Sequence, residues 1–461
     1  MARGRMNLGR RKFLTVSSVA FVSPLIMKAF NLAFTRVAAA ASSVSAAYNR
    51  AIDKMVEETR KKMAAAAGWG KGRGSATVTA QGLINHASST ITYNPFWLDE
   101  AYAAGTRWGG LTALPMYSSG ASQVSTAGLE TPDCGFDRQL WPGQDWEFFQ
   151  PIRVGDTLRG WNRELSITEQ KSPDRGGVRG FFLMEGNCDG VNQRGEIVST
   201  MKNYTIRIFF PDGPPGTKLK LSRYGFTKEE IVYLDRLARQ TKVRGANIRY
   251  WEDVKVGDML EPTVIPPTNI QDIASQGGGA AAAVGGAGGA GGIGSGVGGG
   301  ASGGGAAAVE KSVHQLLQKE GVIGGAQEYI QDPETGYYYK GGGDTLRHWD
   351  DLASHLEGEP GAFLWGVMSQ KSMLRCITNW MGDDAFIRKF NWRHIYRTIV
   401  GDASYSMGKV TNKRNENGEY LVDLFVWQQD MRGYIVDSAV STVALLTKTK
   451  PYPELKKVIT Y

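Results

Sequence analysis

The chain is predicted to be α+β, built from two tandem copies of one unit in which consecutive antiparallel strands curl around a helix. Two observations predict it. The first is an internal repeat: Trp146 through Val154-Gly155-Asp156 returns as Trp392 through Val400-Gly401-Asp402 at the same interval, and Arg194-Gly195-Glu196-Ile197-Val198 returns as Arg432-Gly433-Tyr434-Ile435-Val436. The second is the order of elements, because in both copies a segment of helical character precedes a set of strand-like runs.

The Arg-Gly of each copy sits at a turn between two such runs, 180–189 with 197–210 in the first copy and 419–428 with 434–447 in the second. In the second copy the helix opens at Gly366 and runs through Val367, Met368, Met373, Leu374, Ile377 and Trp380. Trp97-Leu98-Asp99-Glu100-Ala101-Tyr102-Ala103 and Trp108 through Met116 take that place in the first. A third Val256-Gly257-Asp258, after Trp251, opens the second copy.

A length of 461 residues allows two or three domains, and an apolar fraction of 42% allows ordinary buried cores. The net charge of +8 is not interleaved with aromatics densely enough for nucleic acid. Cys134, Cys188 and Cys376 form no CxxC or Cys/His pattern, so no metal site is expected, and at most one disulfide can form. Gly-x-Gly-x-x-Gly matches in the glycine tract lack the flanking strand and helix of a dinucleotide site. No cofactor is expected.

Residues 1–41 read as a targeting segment. Gly9-Arg10-Arg11-Lys12-Phe13-Leu14 resembles a twin-arginine export signal, the apolar stretch 16–30 is interrupted by Pro24 and Lys28, and Val37-Ala38-Ala39-Ala40-Ala41 suits a cleavage site. The expectation is an exported protein with no stable membrane span after processing, or a cytoplasmic one if the motif is silent. Residues 42–74 form a helix, with Val44, Tyr48, Ile52, Met55 and Val56 on one face, and a glycine-punctuated linker. The first unit spans 75–211. A turn-rich break and a bridging helix with a Thr227/Glu230 capping box and apolar Ile231, Leu234 and Leu237 fill 212–248. The second unit spans 249–450 with a Gly/Ala-rich insertion at 277–305, expected to be flexible, and a short helix at 306–319. A tail follows at 451–461.

Chemistry concentrates in Asp344-Thr345-Leu346-Arg347-His348-Trp349-Asp350-Asp351, which flanks a histidine with carboxylates ahead of the glycine that opens the helix. Histidine titrates near neutrality and a neighbouring carboxylate can share its proton work. Unpaired N–H groups at a helix start can stabilise an oxyanion. On spacing alone the commoner meaning is a surface loop of solvated charges ahead of a buried glycine. His355 and His394 read as a helix-surface and a strand-edge residue, and Asp383-Asp384 as a turn or cap.

With these residues in view, the double unit resembles the MaoC-like acyl dehydratases and FAS1-like dehydratases, double hot-dog proteins with an R-specific enoyl-CoA hydratase-like second half. The matching stretches are Asn94-Pro95, Asp99 to Ala103, Thr106 to Leu111 and Val154 to Asp156 in the first unit. In the second they are Arg347 to Asp351, Thr378 to Asp384, Gly401-Asp402, Gly408 to Thr411 and Gln429 to Gly433. The resemblance implies reversible hydration of a 2-enoyl thioester, usually on coenzyme A, in fatty acid metabolism. His348 matches the family's histidine and Gly366 its oxyanion glycine. The family's Asp falls on Gly343, so Asp344 serves through a one-residue shift of the loop, and Asp350 supports the loop. The first unit has Trp97 at the histidine position, Thr92 at the Asp and Pro115, without an N–H, at the glycine. By the same logic that half shapes an acyl pocket, with Trp97, Tyr102, Trp108 and Met116 lining it and Trp365 contributed by the second unit. A homodimer is compatible with this reading. A non-catalytic module for an acyl or hydrophobic ligand and an acyl thioesterase stay open beside it.

Overall fold

In the computed structural model, residues 46–66, 68–69, 76–117, 138–170, 179–208, 223–269, 329–331, 338–340, 348, 350–351, 354 and 359–449 are described. The first helix, α1 (Ala46–Ala66), buries Tyr48, Ile52, Met55 and Met63 against Ile167, Phe182 and Met184, as its periodicity predicts. Short strands β1 (Gly68–Trp69) and β2 (Ala76–Thr77) lead to α2 (Ala80–Ser88), capped by the Thr79 side chain, and to α3 (Glu100–Ala104), capped by Asp99. Then come β3 (Arg138–Phe148), β4 (Thr157–Glu169), β5 (Phe181–Val191) and β6 (Ile197–Ile208). The bridging helix α4 (Lys228–Arg239) carries the Thr227/Glu230 capping box, but it buries Leu234 and Ala238 and leaves Ile231 exposed. The second unit contains β7 (Met259–Ile265), the small hairpin β8 (Tyr329–Gln331) and β9 (Tyr338–Lys340), and α5 (Gly366–Met381). It closes with β10 (Phe386–His394), β11 (Ser404–Glu416), β12 (Glu419–Asp430) and β13 (Ile435–Ala444).

Among the described residues, one sheet runs β1-β4-β5-β6-β3-β10-β13-β12-β11-β7, with β2 paired to β4. The units join where β3 pairs antiparallel with β10, Phe390 opposite Trp146 and Trp392 opposite Gln144. A side chain at Gly143 would put its Cβ 2.3 Å from the Trp392 carbonyl oxygen, so the junction closes only with glycine there.

The repeat seen in the sequence has one physical cause in both units. In each Val-Gly-Asp turn the glycine takes a left-handed conformation, φ +88° at Gly155 and +92° at Gly401, where a Cβ is strained. The following aspartate is buried and accepts from the arginine of the Arg-Gly turn two strands on: Arg194 to Asp156 and Arg432 to Asp402, both at 3.3 Å. A buried carboxylate needs such a partner, so the aspartate and the arginine recur together.

The first unit departs from expectation at 108–116. This stretch is turns and an isolated bridge, Thr112 to Arg153, and carries no helix. Helical geometry resumes at Tyr117, and 118–137 lies outside the described residues. The proposed signal segment, the glycine tract, the helix at 306–319 and Cys134 also lie outside them. Cys188 and Cys376 are buried free thiols.

The centre of the second unit is α5, against β7, β11, β12 and β13. Every residue from Met368 to Met381 is buried, polar ones included. Buried polar groups need partners, and here neighbouring elements supply them: Gln370 donates to Gln144 at 3.0 Å, Lys371 to Ser89 at 2.8 Å, and Arg375 to the carbonyls of Ile91 and Val264 at 2.9 and 2.7 Å. Ser372 and Ser406 share a bond of 2.9 Å.

Candidate active site at the start of the central helix

Two features shape the first turn of α5. The capping position is Trp365, whose side chain makes no capping hydrogen bond, so the first-turn N–H groups depend on other acceptors. Gly366 is forced by packing, because a Cβ there would meet the Trp392 ring at 2.9 Å and Trp141 at 3.4 Å. The helix start thus rests directly on the fully buried Trp392.

His348 is held beside this turn. Its Nδ1 lies 2.8 Å from the Phe363 carbonyl oxygen. A carbonyl can only accept, so the neutral ring carries its proton on Nδ1 and Nε2 is the basic nitrogen. The imidazole meets the Phe363 ring edge-on with centroids 4.5 Å apart and lies 5.1 Å from the Trp365 ring. Phe363 is braced by Arg397, whose guanidinium lies 5.2 Å from the ring centroid and forms an ion pair with the buried Glu359 at 2.9 Å.

The chain between histidine and helix is anchored by main-chain bonds. Asp351 accepts from Ala362 N–H at 2.9 Å and pairs with Arg223 at 2.7 Å, and the Ser354 hydroxyl donates to the Gly361 carbonyl at 2.6 Å. Asp350 is half-buried and its carbonyl accepts from Ser354 N–H at 3.1 Å. Asp344, the expected second member of the acid/base pair, lies outside the described residues, as does His355.

An imidazole–carboxylate pair that no short-range pattern predicts stands close by. His394 ends β10 as expected, yet its Nδ1 lies 2.8 Å from Oδ1 of Asp437 on β13, fully enclosed. Burial pushes the Asp437 carboxyl up, while His394, with looser donors from Ser369 of α5 and the Trp392 indole, pulls it down. The two residues lie directly opposite each other on neighbouring strands, which no short-range spacing reveals.

The first unit repeats the same construction with other residues. Ala113 N–H donates to Ile152 and Leu364 N–H to Thr398, each at 2.8 Å, which sets Pro115 in the place of Gly366. The same number of residues then separates Trp97 from Pro115 as His348 from Gly366. Here lies a small apolar cleft of about 40 Å³, open to solvent, with Trp97, Trp108 and Met116 in its wall beside Phe148, Met381 and Phe386. Tyr102 is not in that wall. Its hydroxyl donates to Asp383 at 2.7 Å, which pushes its own ionisation up to about 12 with burial as the larger cause. Asp383 also accepts from Asn94 at 2.7 Å, so this carboxylate at the end of α5 ties the two units together. Trp365 lies at the opposite end, beside His348. No cluster able to hold a metal exists among the described residues.

Comparison with known proteins agrees with this architecture. Residues 65–201 match the family described as the FAS1-like dehydratase domain region. A solved MaoC-like dehydratase is similar over 83% of this chain and 98% of its own, at 16% identity and a TM-score of 0.54. A conserved hypothetical protein from Mycobacterium tuberculosis, described as having a double hotdog fold, is similar over 82% of this chain and 96% of its own, at 13% identity and a TM-score of 0.46. No curated protein matches by sequence. Residues 65–201 thus resemble the FAS1-like dehydratase region, and the two joined helix-in-sheet units give the chain the double hot-dog fold.

Proposed function

We propose that the protein adds water to, or removes it from, a 2-enoyl/3-hydroxyacyl thioester at the start of α5, with His348 as the acid/base group. The observation that carries this reading is the bond from His348 Nδ1 to the Phe363 carbonyl, which makes Nε2 the basic nitrogen beside the residue that caps the helix. In the hydration direction Nε2 takes a proton from water as the oxygen attacks the β-carbon. The alkene electron pair moves through the α-carbon onto the thioester oxygen, which the Gly366 N–H stabilises. The proton is then delivered to the α-carbon, so water is added across the double bond with nothing left over. Asp344 is assigned to share the proton work and Asp350 to support the loop. Coenzyme A is the proposed head group, and the twin-arginine-type segment supports work outside the cytoplasm, or inside it if that motif is silent.

The test is to incubate the full chain with crotonyl and longer enoyl thioesters of coenzyme A and N-acetylcysteamine, following alkene absorbance and free thiol together. Loss of absorbance without thiol release is expected, and His348→Ala should lower the rate by roughly 10²- to 10⁴-fold. Thiol release would indicate a thioesterase instead, and neither signal would leave a binding module. Full hydration activity in His348→Ala would remove the site assignment.

A further inference from the structure

The imidazole–carboxylate pair between β10 and β13 is linked to Gly366 by a chain of contacts. Side chains alternate along a strand, so Trp392 and His394 of β10 share the face turned toward α5. Their ring centroids are 5.9 Å apart, and Asp437 stands opposite His394 on β13.

Three groups converge on the Asp437 carboxylate. His394 occupies Oδ1 at 2.8 Å. Ser369, in α5 one turn after Gly366, and the Trp392 indole approach it more loosely. Asp437 Oδ2 and Trp392 Nε1 are both buried without a full hydrogen bond among the described residues. A buried acceptor and a buried donor each cost free energy while unsatisfied, so the two gain by closing on each other.

What this carboxylate holds is the seat of the helix. A Cβ at Gly366 would meet Cη2 of Trp392 at 2.9 Å and Cζ2 at 3.4 Å, so the main chain there lies directly on the indole. Those two atoms stand one and two bonds beyond the carbon that carries Nε1. The ring is rigid, and whatever directs Nε1 also directs the surface under Gly366. Ser369 ties the same carboxylate to the first turn itself. Small errors of aim at a reacting group cost large factors in rate.

Resting on the hydration reading above, we propose that Asp437, oriented by His394, is a positioning residue for that reaction. Through Trp392 and Ser369 it fixes the first turn of α5 so that the Gly366 N–H meets the thioester oxygen as negative charge develops there. Hydrogen bonds of catalytic sites are often slack in the resting protein and tighten around the transition state. The contact between Trp392 and Asp437 is assigned that behaviour.

Asp437→Asn tests this, because the amide keeps the shape and an acceptor for His394 but turns a donor toward the Trp392 N–H. Hydration of crotonyl-coenzyme A is followed at neutral pH, under conditions where near-ultraviolet circular dichroism shows each variant fully folded. kcat is expected to fall about tenfold with KM unchanged within about twofold, the signature of an interaction made only in the transition state. Trp392→Phe should lower kcat too, and the double variant should be no slower than the slower single, since both break one link. A merely structural role would lower the melting temperature and leave kcat per folded enzyme intact. If Trp392→Phe does not fold, Ser369→Ala, which removes another donor to the same carboxylate, replaces it in the cycle.

The proposal is overturned if Asp437→Asn keeps the parental kcat, if KM alone rises, or if the two effects multiply as independent changes. A parent chain that does not hydrate the thioester overturns the hydration reading and this inference with it. A parent that hydrates beside an equally fast Asp437→Asn variant overturns this inference alone.

Discussion

His394 Nδ1 and Asp437 Oδ1 are 2.8 Å apart, with the carboxylate fully enclosed. Ser369 of α5 and Trp392 face the same carboxylate, so the pair sits under the first turns of the helix that bears Gly366. Burial raises the Asp437 carboxyl above the ordinary value of 3.8. The folded state then binds more protons than the unfolded chain just above that value, and the contribution of this group falls as pH rises through its folded value. Asp437→Asn is expected to flatten the thermal-stability profile on the acid side. Asp437→Ala, which strands the imidazole, should cost about 3 kcal/mol. Melting curves from pH 4 to 8 check both, and an unchanged profile in the Asn variant would dissociate the carboxyl from the acid-side dependence.

The paired turns of the repeat should differ in weight. Arg432 is 26% exposed and Arg194 52% exposed, while both aspartate partners are nearly enclosed. Solvent screens the more open pair. Arg432→Ala is expected to cost about 1–2 kcal/mol and Arg194→Ala about 0.5 kcal/mol in denaturant titrations. Equal losses would mean that burial of the aspartate alone sets the cost.

Lys371 is enclosed and donates to Ser89, and burial pushes it down to about 8. The neighbouring His86 is held neutral, down to about 3, by burial first and the lysine second. The unfolded chain binds the lysine proton more tightly, so stability rises with pH between about 8 and the ordinary 10.5. Lys371→Met should stabilise the protein at pH 7 by roughly 1–3 kcal/mol and remove that alkaline rise. Ser89 keeps its own bond to the His86 carbonyl in the variant. A less stable Met variant would show that the lysine bond outweighs its desolvation.

Gly366→Ala should cost about 1–3 kcal/mol and lower activity together, since the new methyl group meets the rigid Trp392 ring at 2.9 Å. Retained stability with lost activity would instead assign the glycine to the chemistry alone.

Gly143→Ala is the corresponding test of the junction between the units. Its Cβ would meet backbone, which cannot rotate away, and a loss of about 3 kcal/mol or more is expected. Chemical denaturation that becomes biphasic would show the two units separating.

The duplicated architecture was legible because its causes are local and repeated. Val-Gly-Asp needs a left-handed glycine and a buried carboxylate needs its arginine, so both recur at one spacing in each copy. The strand runs and α5 were equally legible from periodicity. Apolar spacing predicts helical character at 108–116 but does not reveal a strand-like bridge such as Thr112 to Arg153. An aromatic ring in the sequence does not show where the Tyr102 hydroxyl finds its acceptor.

By itself the amino-acid order determined two copies of one unit, a helix opening at Gly366, and a first copy stripped of imidazole and amide at the matching positions. Tertiary structure decided which groups meet: the His348 ring with the Phe363 carbonyl, His394 with Asp437, and a cleft at the far end of α5 from the candidate site. The reason is physical. Turns and periodic faces depend on neighbours a few residues away, whereas the pairing of a buried charge depends on which strands the sheet brings together, and that is settled only when the whole sheet closes around the helix.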